Sequence, residues 1–290
     1  MFLIIDGTNL GHRAFHAMKS SETGIPVTKT NRPIAGCTIL LKQLPRLIRD
    51  LQATRVAVVF DNQEPTFRHR LFAEYKGKRA EKDEQLKQDL QLLLETLESL
   101  GIGIVAPIGY EADDLIATLS VQPVGKKMIY SSDQDLFQLI DADTRVLLPG
   151  GAGIIVDPCS VCTKTGLKSP RQIADYKAMS GDSSDNIPGV YGIGKARAVE
   201  LLNRYADVEA IYAHMGKITG TVYTRLREGE DQARLCLQLT TLVRDAPMRF
   251  GIDRFAVKNF NLPAFTTRME SLGLKTIASQ YNLKNFFPNS

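Results

Sequence analysis

Four short apolar runs, each followed by acidic residues, constrain this chain more than any other feature. The runs are Phe2–Ile5, Val56–Phe60, Ile102–Val105 and Lys127–Ser131, with a fifth at Arg145–Leu148. Continuous apolar runs of this length read as strands buried on both faces, the pattern of a parallel sheet. Helical patterns such as Ile39–Leu51 and Leu86–Leu100 lie between them. Strands alternating with helices predict an α/β fold, a parallel sheet flanked by helices. In such sheets ligands gather outside the carboxyl ends of the strands.

The acids fall at those ends. Asp6 follows the first run and Asp61 the second; Glu111, Asp113 and Asp114 lie shortly past the third, and Asp133 and Asp135 past the fourth. Asp182 and Asp185 stand three apart further on and share a face if their segment is helical. Any one acid has a plainer reading, because Asp caps helix N-termini and Glu111–Asp114 opens a helix where negative charge is favourable. Capping accounts poorly for four successive strands ending in acid. Parallel strands bring their ends to one edge, where like charges raise each other's pKa unless something offsets them. Hard divalent cations do so. Mg²⁺ takes oxygen ligands, whereas zinc would call for His or Cys, which the cluster lacks. Two such ions can hold a phosphodiester, activate water and stabilise the leaving oxygen. The pattern therefore predicts metal-dependent phosphodiester hydrolysis, with Asp133 central to it.

After about residue 157 strand signals fade and helical patterns dominate: Pro170–Met179, Lys195–Asn203, Val208–His214, Asp231–Val243 and Pro263–Leu272. Two regions are expected, an α/β core over 1–157 and a mainly helical part over 158–290. The stretch from 62 to 100 is too long for a plain connection. Between Arg68 and Lys87 it carries seven Lys/Arg against four Asp/Glu, which suggests a mobile insertion over the mouth of the sheet. The net charge of +4 permits a polyanionic partner without requiring one. Cys159 and Cys162 form a lone pair with no second, similarly spaced pair, so free thiols in a reducing compartment are expected. The first apolar run is too short for a signal sequence, and no stretch reaches the length of a membrane span. A cytoplasmic protein is expected.

The stretch from Gly181 to Gly194 is the most distinctive. Gly189, Gly192 and Gly194 allow tight turns and close backbone approach. A helix is expected from about Gly194, with Lys195 and Arg197 adding positive charge at its start. The bland alternative is an inter-helix turn. A dinucleotide site is disfavoured because no strand precedes the turn. Contact with a DNA backbone, which positions without reading sequence, fits better.

Taken in order, the motifs resemble the flap-endonuclease or 5′–3′ exonuclease family. They are Asp6-Gly7-Thr8-Asn9-Leu10 with Arg13, Val59-Phe60-Asp61, Phe67-Arg68, Tyr75-Lys76-Gly77-Lys78-Arg79, Gly109 to Asp114, Ser132 to Leu136, and Gly181 to Gly194. The resemblance implies a PIN-like fold and two metal positions. Asp6, Asp61, Glu111 and Asp113 would lie near the first, Asp135, Asp182 and Asp185 near the second, and Asp133 between them; the family keeps acid at Asp114. Mg²⁺ would be the metal, with Mn²⁺ able to substitute.

The basic insertion matches the family's helical arch, through which a 5′ single strand passes. Lys76 and Arg79 match positions at the scissile phosphate, where a solvated charged face is the ordinary alternative. Tyr75 would stack on a base or else pack in the core, and Arg13 and Arg68 are further expected DNA contacts. The glycine turn matches a helix–three-turn–helix (SAM-like) element that binds duplex, with a potassium ion as a further expected ligand. Here Lys195 comes one residue earlier than in the family pattern. The expected substrate is branched or nicked double-stranded DNA with a 5′ flap, cut by a monomer to leave a 5′-phosphate and a 3′-hydroxyl. The chain ends at Ser290, as a free-standing nuclease or a nuclease domain on its own would.

Three alternatives compete. A haloacid-dehalogenase-type phosphatase would need its nucleophilic Asp at position 4, which is Ile. A non-catalytic junction binder would lack the metal carboxylates. A 5′ exonuclease acting mainly on duplex ends would keep the same residues.

Overall fold

Strand order explains how acids distant in sequence meet. The computed structural model describes residues 1–62, 64–80, 83–150, 153–248, 250–275 and 277. Gln63, Glu81 and Lys82 of the expected arch, and the expected helical region after residue 277, lie outside that set. Six strands form one sheet in the order β3-β2-β1-β4-β5-β6. The central strand β1 (Phe2–Asp6) pairs in parallel with β2 (Arg55–Val59) on one side and β4 (Lys127–Tyr130) on the other. Beyond them lie β3 (Gly103–Val105) and β5 (Thr144–Leu147), both parallel. The short β6 (Ile155–Val156) closes one edge antiparallel to β5; two residues leave no periodicity to read. The order reverses between β1 and β4, which makes the crevice at their carboxyl ends the topological switch point.

The two-residue period of the strands divides the core. Leu3, Ile5, Val56, Val58 and Met128 enter one cluster, and Phe2, Ile4, Ala57, Val59 and Ile129 enter the other. α1 (Gly7–Lys19) follows β1, and α2 (Ala35–Asp50), α3 (Phe67–Leu71), α4 (Glu84–Ser99) and α5 (Ala112–Ser120) follow along the α/β part. The first cluster packs under α2 and α4, and the second under α5 and the later helices. Leu40, Leu41 and Leu44 of α2 are almost wholly buried, each stabilising the fold by about 1.5–3 kcal/mol. Gly11 of α1 lets α4 approach: a Cβ there would stand 2.3 Å from Leu90 Cδ2.

α4 belongs to the core, since Leu86, Leu92, Leu93 and Leu97 are buried. Among the described residues of the expected insertion, Lys76, Arg79 and Ala80 lie at the sheet mouth. The later helices are α6 (Pro158–Thr165), α7 (Gln172–Ser180), α8 (Lys195–Tyr205), α9 (Val208–Ala213), α10 (Gly220–Glu228), α11 (Glu230–Thr240) and α12 (Leu262–Ser271). α12 returns to the α/β side, where Phe265 and Met269 join the cluster under α2. Among the described residues no helix is long and apolar enough to cross a membrane.

Candidate active-site cleft

A cleft of about 890 Å³ opens at the switch point and is lined by Asp6, Asp61, Glu111, Asp113, Asp133, Asp135, Asp182 and Asp185, among others. Local hydrogen bonds fix these acids. Asp6 ends β1 and caps α1, accepting from Asn9 N–H at 2.9 Å, while its other oxygen accepts from Ser131 Oγ at 2.7 Å. Asp61 accepts from the Ala112 N–H that opens α5, at 2.9 Å, and its own N–H donates to Thr8 Oγ1. Asn9 Oδ1 accepts from Ser132 Oγ at 2.7 Å, joining the ends of β1 and β4. Asp133 accepts from Asp135 N–H at 2.9 Å.

The electrostatics follow from this crowding. Burial pushes Asp6 up to about 7, Asn9 and Ser131 hold it down, and Asp61 and Asp133 push it further up. Burial, then Asp133, Asp6 and Asp61, push Asp113 well above the usual carboxylate range. Asp133 is raised as well, by burial first, although Lys177 opposes it. These four acids, from four separate segments, thus repel one another across one space. Such an all-oxygen donor set suits Mg²⁺ or Mn²⁺ once cations offset the repulsion.

The other acids are held by the chain's own cations. Lys177 Nζ bonds both Asp135 and Asp182, the latter at 2.7 Å. Burial would raise Asp182, but Lys177 and Ser184 hold it at about 2. Lys76 Nζ bonds Glu111 at 2.6 Å and Arg79 bonds Asp185 at 2.5 Å. Tyr75 Oη reaches both Glu111 and Asp185, at 3.0 Å each. Among the described residues no three metal-ligating side chains are gathered tightly enough to hold an ion without adjustment.

The glycine turn closes one side. Asp182 and Ile187 exchange backbone hydrogen bonds at 2.8 Å. Gly189 has φ +69°, and a Cβ on it would stand 2.3 Å from Gly181 N. Gly192 has φ +80° beside Arg225. Gly194 is the N-cap residue of α8 and has open space around it. Asn186 Nδ2 donates to Glu74 O at 2.8 Å, tying the turn to the segment after α3.

Profiles of known families match this chain in two consecutive blocks. The 5′–3′ exonuclease N-terminal resolvase-like domain matches residues 1–166, and the 5′–3′ exonuclease C-terminal SAM fold matches residues 168–263. The chain belongs to the 5′–3′ exonuclease family. Curated relatives of this chain include DNA polymerase I of Synechocystis sp., 33% identical over 100% of this chain and 31% of the relative, and DNA polymerase I of Bacillus subtilis, 34% identical over 95% and 31%. The chain thus spans about a third of the length of the curated relatives it matches. Among solved structures, T5 5′-exonuclease with bound divalent metal ions (zinc) superposes with a TM-score of 0.71 at 21% identity, covering 96% of this chain and 99% of that one. Flap endonuclease-1 from Methanococcus jannaschii superposes at 0.52 and 16% identity, covering 96% and 93%. These likenesses show the fold.

Within this fold, five expected site residues take other places. Asp114 is fully buried and turned away from the cleft acids. It pairs with Arg68, which is 1% exposed, through two bonds of 2.7 and 2.8 Å. Arg68 also donates to the carbonyls of Leu239 and Thr241. Arg68 therefore joins α3 to the end of α11 and presents nothing to DNA, and Asp114 offers no oxygen to a metal. Tyr75 is 3% exposed and hydrogen-bonded through its hydroxyl, so it has no free face on which a base could stack. Arg13 is exposed on α1 outside the cleft lining, and Arg197 is exposed and paired with Glu200 at 2.6 Å, whereas Lys195 lines the cleft.

Lys177 was missed. It stands five positions before Asp182, a spacing that does not share a helical face. Only the stop of α7 at Gly181, with φ +79°, turns Asp182 back toward it. A glycine directly before an acid at a helix end was the available signal.

Proposed function

We propose that this chain is a divalent-metal-dependent, structure-specific 5′ nuclease. It hydrolyses phosphodiester bonds of nicked or flapped duplex DNA as an exonuclease and a flap endonuclease, leaving a 5′-phosphate and a 3′-hydroxyl. One observation carries the reading: Asp6, Asp61, Asp113 and Asp133, from four separate segments, line one cleft rimmed by Lys76, Arg79 and Lys177, where burial and neighbouring carboxylates raise the proton affinity of Asp6 and Asp113. Two Mg²⁺ ions, when bound among these carboxylates, supply an acidified water and a stabilised leaving oxygen.

The chain's own residues do the rest. The Asn9 N–H and Ser131 hydroxyl hold the Asp6 carboxylate, and the Ala112 N–H holds that of Asp61, against the repulsion between them. Lys76 and Arg79, which pair with Glu111 and Asp185 at the rim of the cleft, would stabilise charge on the scissile phosphate, and Glu111 and Asp185 would be among the residues that hold the metal. Backbone N–H groups at the start of α8, with Lys195, donate to a phosphate of the downstream duplex.

The test is cleavage of end-labelled flap, nicked and blunt duplexes by the wild type and by Asp133→Ala, in Mg²⁺ and in EDTA. Cutting should require Mg²⁺ and vanish in the variant, while binding in EDTA persists. Cleavage that survives chelation would end the proposal. Binding in Mg²⁺ with no product from any substrate would instead favour a junction-binding protein of the same fold.

A further inference from the structure

A second cavity of about 880 Å³ lies among the later helices, apart from the active cleft. α7 lines both. Tyr176, Lys177 and Ser180 line the cleft, whereas Arg171, Gln172 and Asp175 line the cavity. The two stretches adjoin along the helix, Asp175 lining the cavity and Tyr176 the cleft. The volume falls in the range of small-molecule sites.

Its chemistry is cationic. Lys168, Arg171, Arg204 and Lys217 line it, all exposed, and none forms an ion pair among the described residues. The two acids of the lining are already used locally. Asp175 accepts from Val208 N–H at 2.9 Å and Asp207 from Ala210 N–H at 2.7 Å. Four cations against two acids leave a positive excess around one concavity, which favours a phosphate-bearing ligand.

Two further observations point to something larger than phosphate. Tyr205 is 9% exposed, and its hydroxyl is buried with no hydrogen-bond partner; Asn203 Oδ1 is in the same state. Both residues belong to the lining. Buried polar groups are rarely left unpaired, so a donor and an acceptor that lack partners beside a cavity call for a ligand carrying both. His214 stacks on Tyr205, with ring centroids 5.5 Å apart and planes at 26°, and its ring is held by a hydrogen bond to Ala210 O at 2.8 Å. His214 is exposed, so its outer face can take a planar base.

We propose that this cavity binds a nucleoside 5′-monophosphate. The cations take the phosphate, His214 the face of the base, and Tyr205 Oη and Asn203 Oδ1 its polar edge. The proposal is independent of the cleavage reading, because it uses no cleft residue.

The test is calorimetric titration of the full chain in EDTA with deoxyadenosine 5′-monophosphate, inorganic phosphate, deoxyadenosine and a short oligodeoxythymidine. The monophosphate should bind saturably, and phosphate or nucleoside alone about tenfold or more weaker. Arg171→Ala with Lys217→Ala, both at exposed positions, should weaken monophosphate binding at least about tenfold. Tyr205→Phe should weaken it severalfold without unfolding the protein. Lys76→Ala in the cleft should leave it unchanged. No saturable binding below about 10 mM, binding indifferent to the Arg171/Lys217 pair, binding lost in Lys76→Ala, or binding of the oligonucleotide alone would each overturn the proposal. The last would assign the cations to a DNA strand.

Discussion

Replacing Arg68 should unfold the protein more readily and should leave the DNA affinity of the folded fraction unchanged. Arg68 is 1% exposed and Asp114 0%. Their two hydrogen bonds, with those from Arg68 to Leu239 O and Thr241 O, saturate much of the guanidinium. Arg68→Met removes one charge and leaves the other buried and unpaired, a change that typically costs about 3–5 kcal/mol. Asp114→Leu should cost at least as much, because Asp114 also accepts from the N–H groups of Glu111 and Val243. With a total stability of about 5–15 kcal/mol, either change is severe. At about 2–4 °C per kcal/mol for a domain of this order of size, Tm should fall by roughly 10 °C. The double variant leaves no orphaned charge and should cost well under the sum, with a coupling of about 1–3 kcal/mol. Urea unfolding followed by circular dichroism gives all three values, and DNA binding in EDTA is measured below the unfolding transition. Wild-type stability in Arg68→Met, with selectively weaker DNA binding, would refute the structural role and return Arg68 to the DNA interface.

Three further outcomes are expected. Burial raises Asp6 to about 7 and Asp89 and Asp175 to about 6. Folded values above the unfolded ones mean stability that is present in full at low pH and lost as pH rises through about 6 to 7. Metal-stripped protein should therefore melt lower at pH 8 than at pH 6, Mg²⁺ should restore most of the loss at pH 8, and an unchanged Tm across this window would count against the buried acids. Asp89 is wholly buried and accepts from Gly36 N–H at 2.9 Å, standing in for the missing side-chain cap of α2. Asp89→Ala should cost about 1–2 kcal/mol in urea unfolding, as the loss of a helix cap does, and Asp89→Asn less. Gly189→Ala meets Gly181 N at φ +69° and should destabilise the turn by about 1–3 kcal/mol, read as weaker duplex binding with little change in binding to single strands.

Much of the architecture was legible because it rests on periodicity. The runs ending at Ile5, Phe60, Val105 and Ser131 all lie on the parallel strands β1 to β4 or at their ends, and their acids reach one edge as the topology demands. α2, α4, α7 to α9, α11 and α12 came through from their apolar spacing with boundaries shifted by a few residues, whereas α1, α3, α6 and α10 did not. What could not be read depends on tertiary partners. Arg68 and Asp114 sit 46 positions apart and look like surface charges until α3 is laid against α5. Tyr75 looks available for stacking until its hydroxyl finds Glu111 and Asp185. α4 looked like part of an insertion because its polar face dominates its composition, yet its leucines fill the core.

The placement of Lys76, Arg79 and Lys177 links the fold's stability to its chemistry. A cleft with this many carboxylates is unfavourable by itself, since buried acids such as Asp6 and Asp113 are desolvated and face others of like charge. Three cationic side chains reduce that cost: Lys76 on Glu111, Arg79 on Asp185, Lys177 between Asp135 and Asp182. On the proposed reading a divalent ion held by these acids would do the same with more charge in less space and would leave the three cations available to a phosphate. Lys177→Met separates this view from simple phosphate binding. If Lys177 serves only the substrate, the variant loses activity at every Mg²⁺ concentration with an unchanged half-saturation. If it also holds Asp135 and Asp182 in the empty cleft, its removal leaves those acids unpaired, so the variant binds Mg²⁺ more tightly and, in EDTA, is less stable than the wild type. Tighter Mg²⁺ binding with lower metal-free stability is the expected result, and an unchanged half-saturation would show that the ammonium group and the metal do not compete.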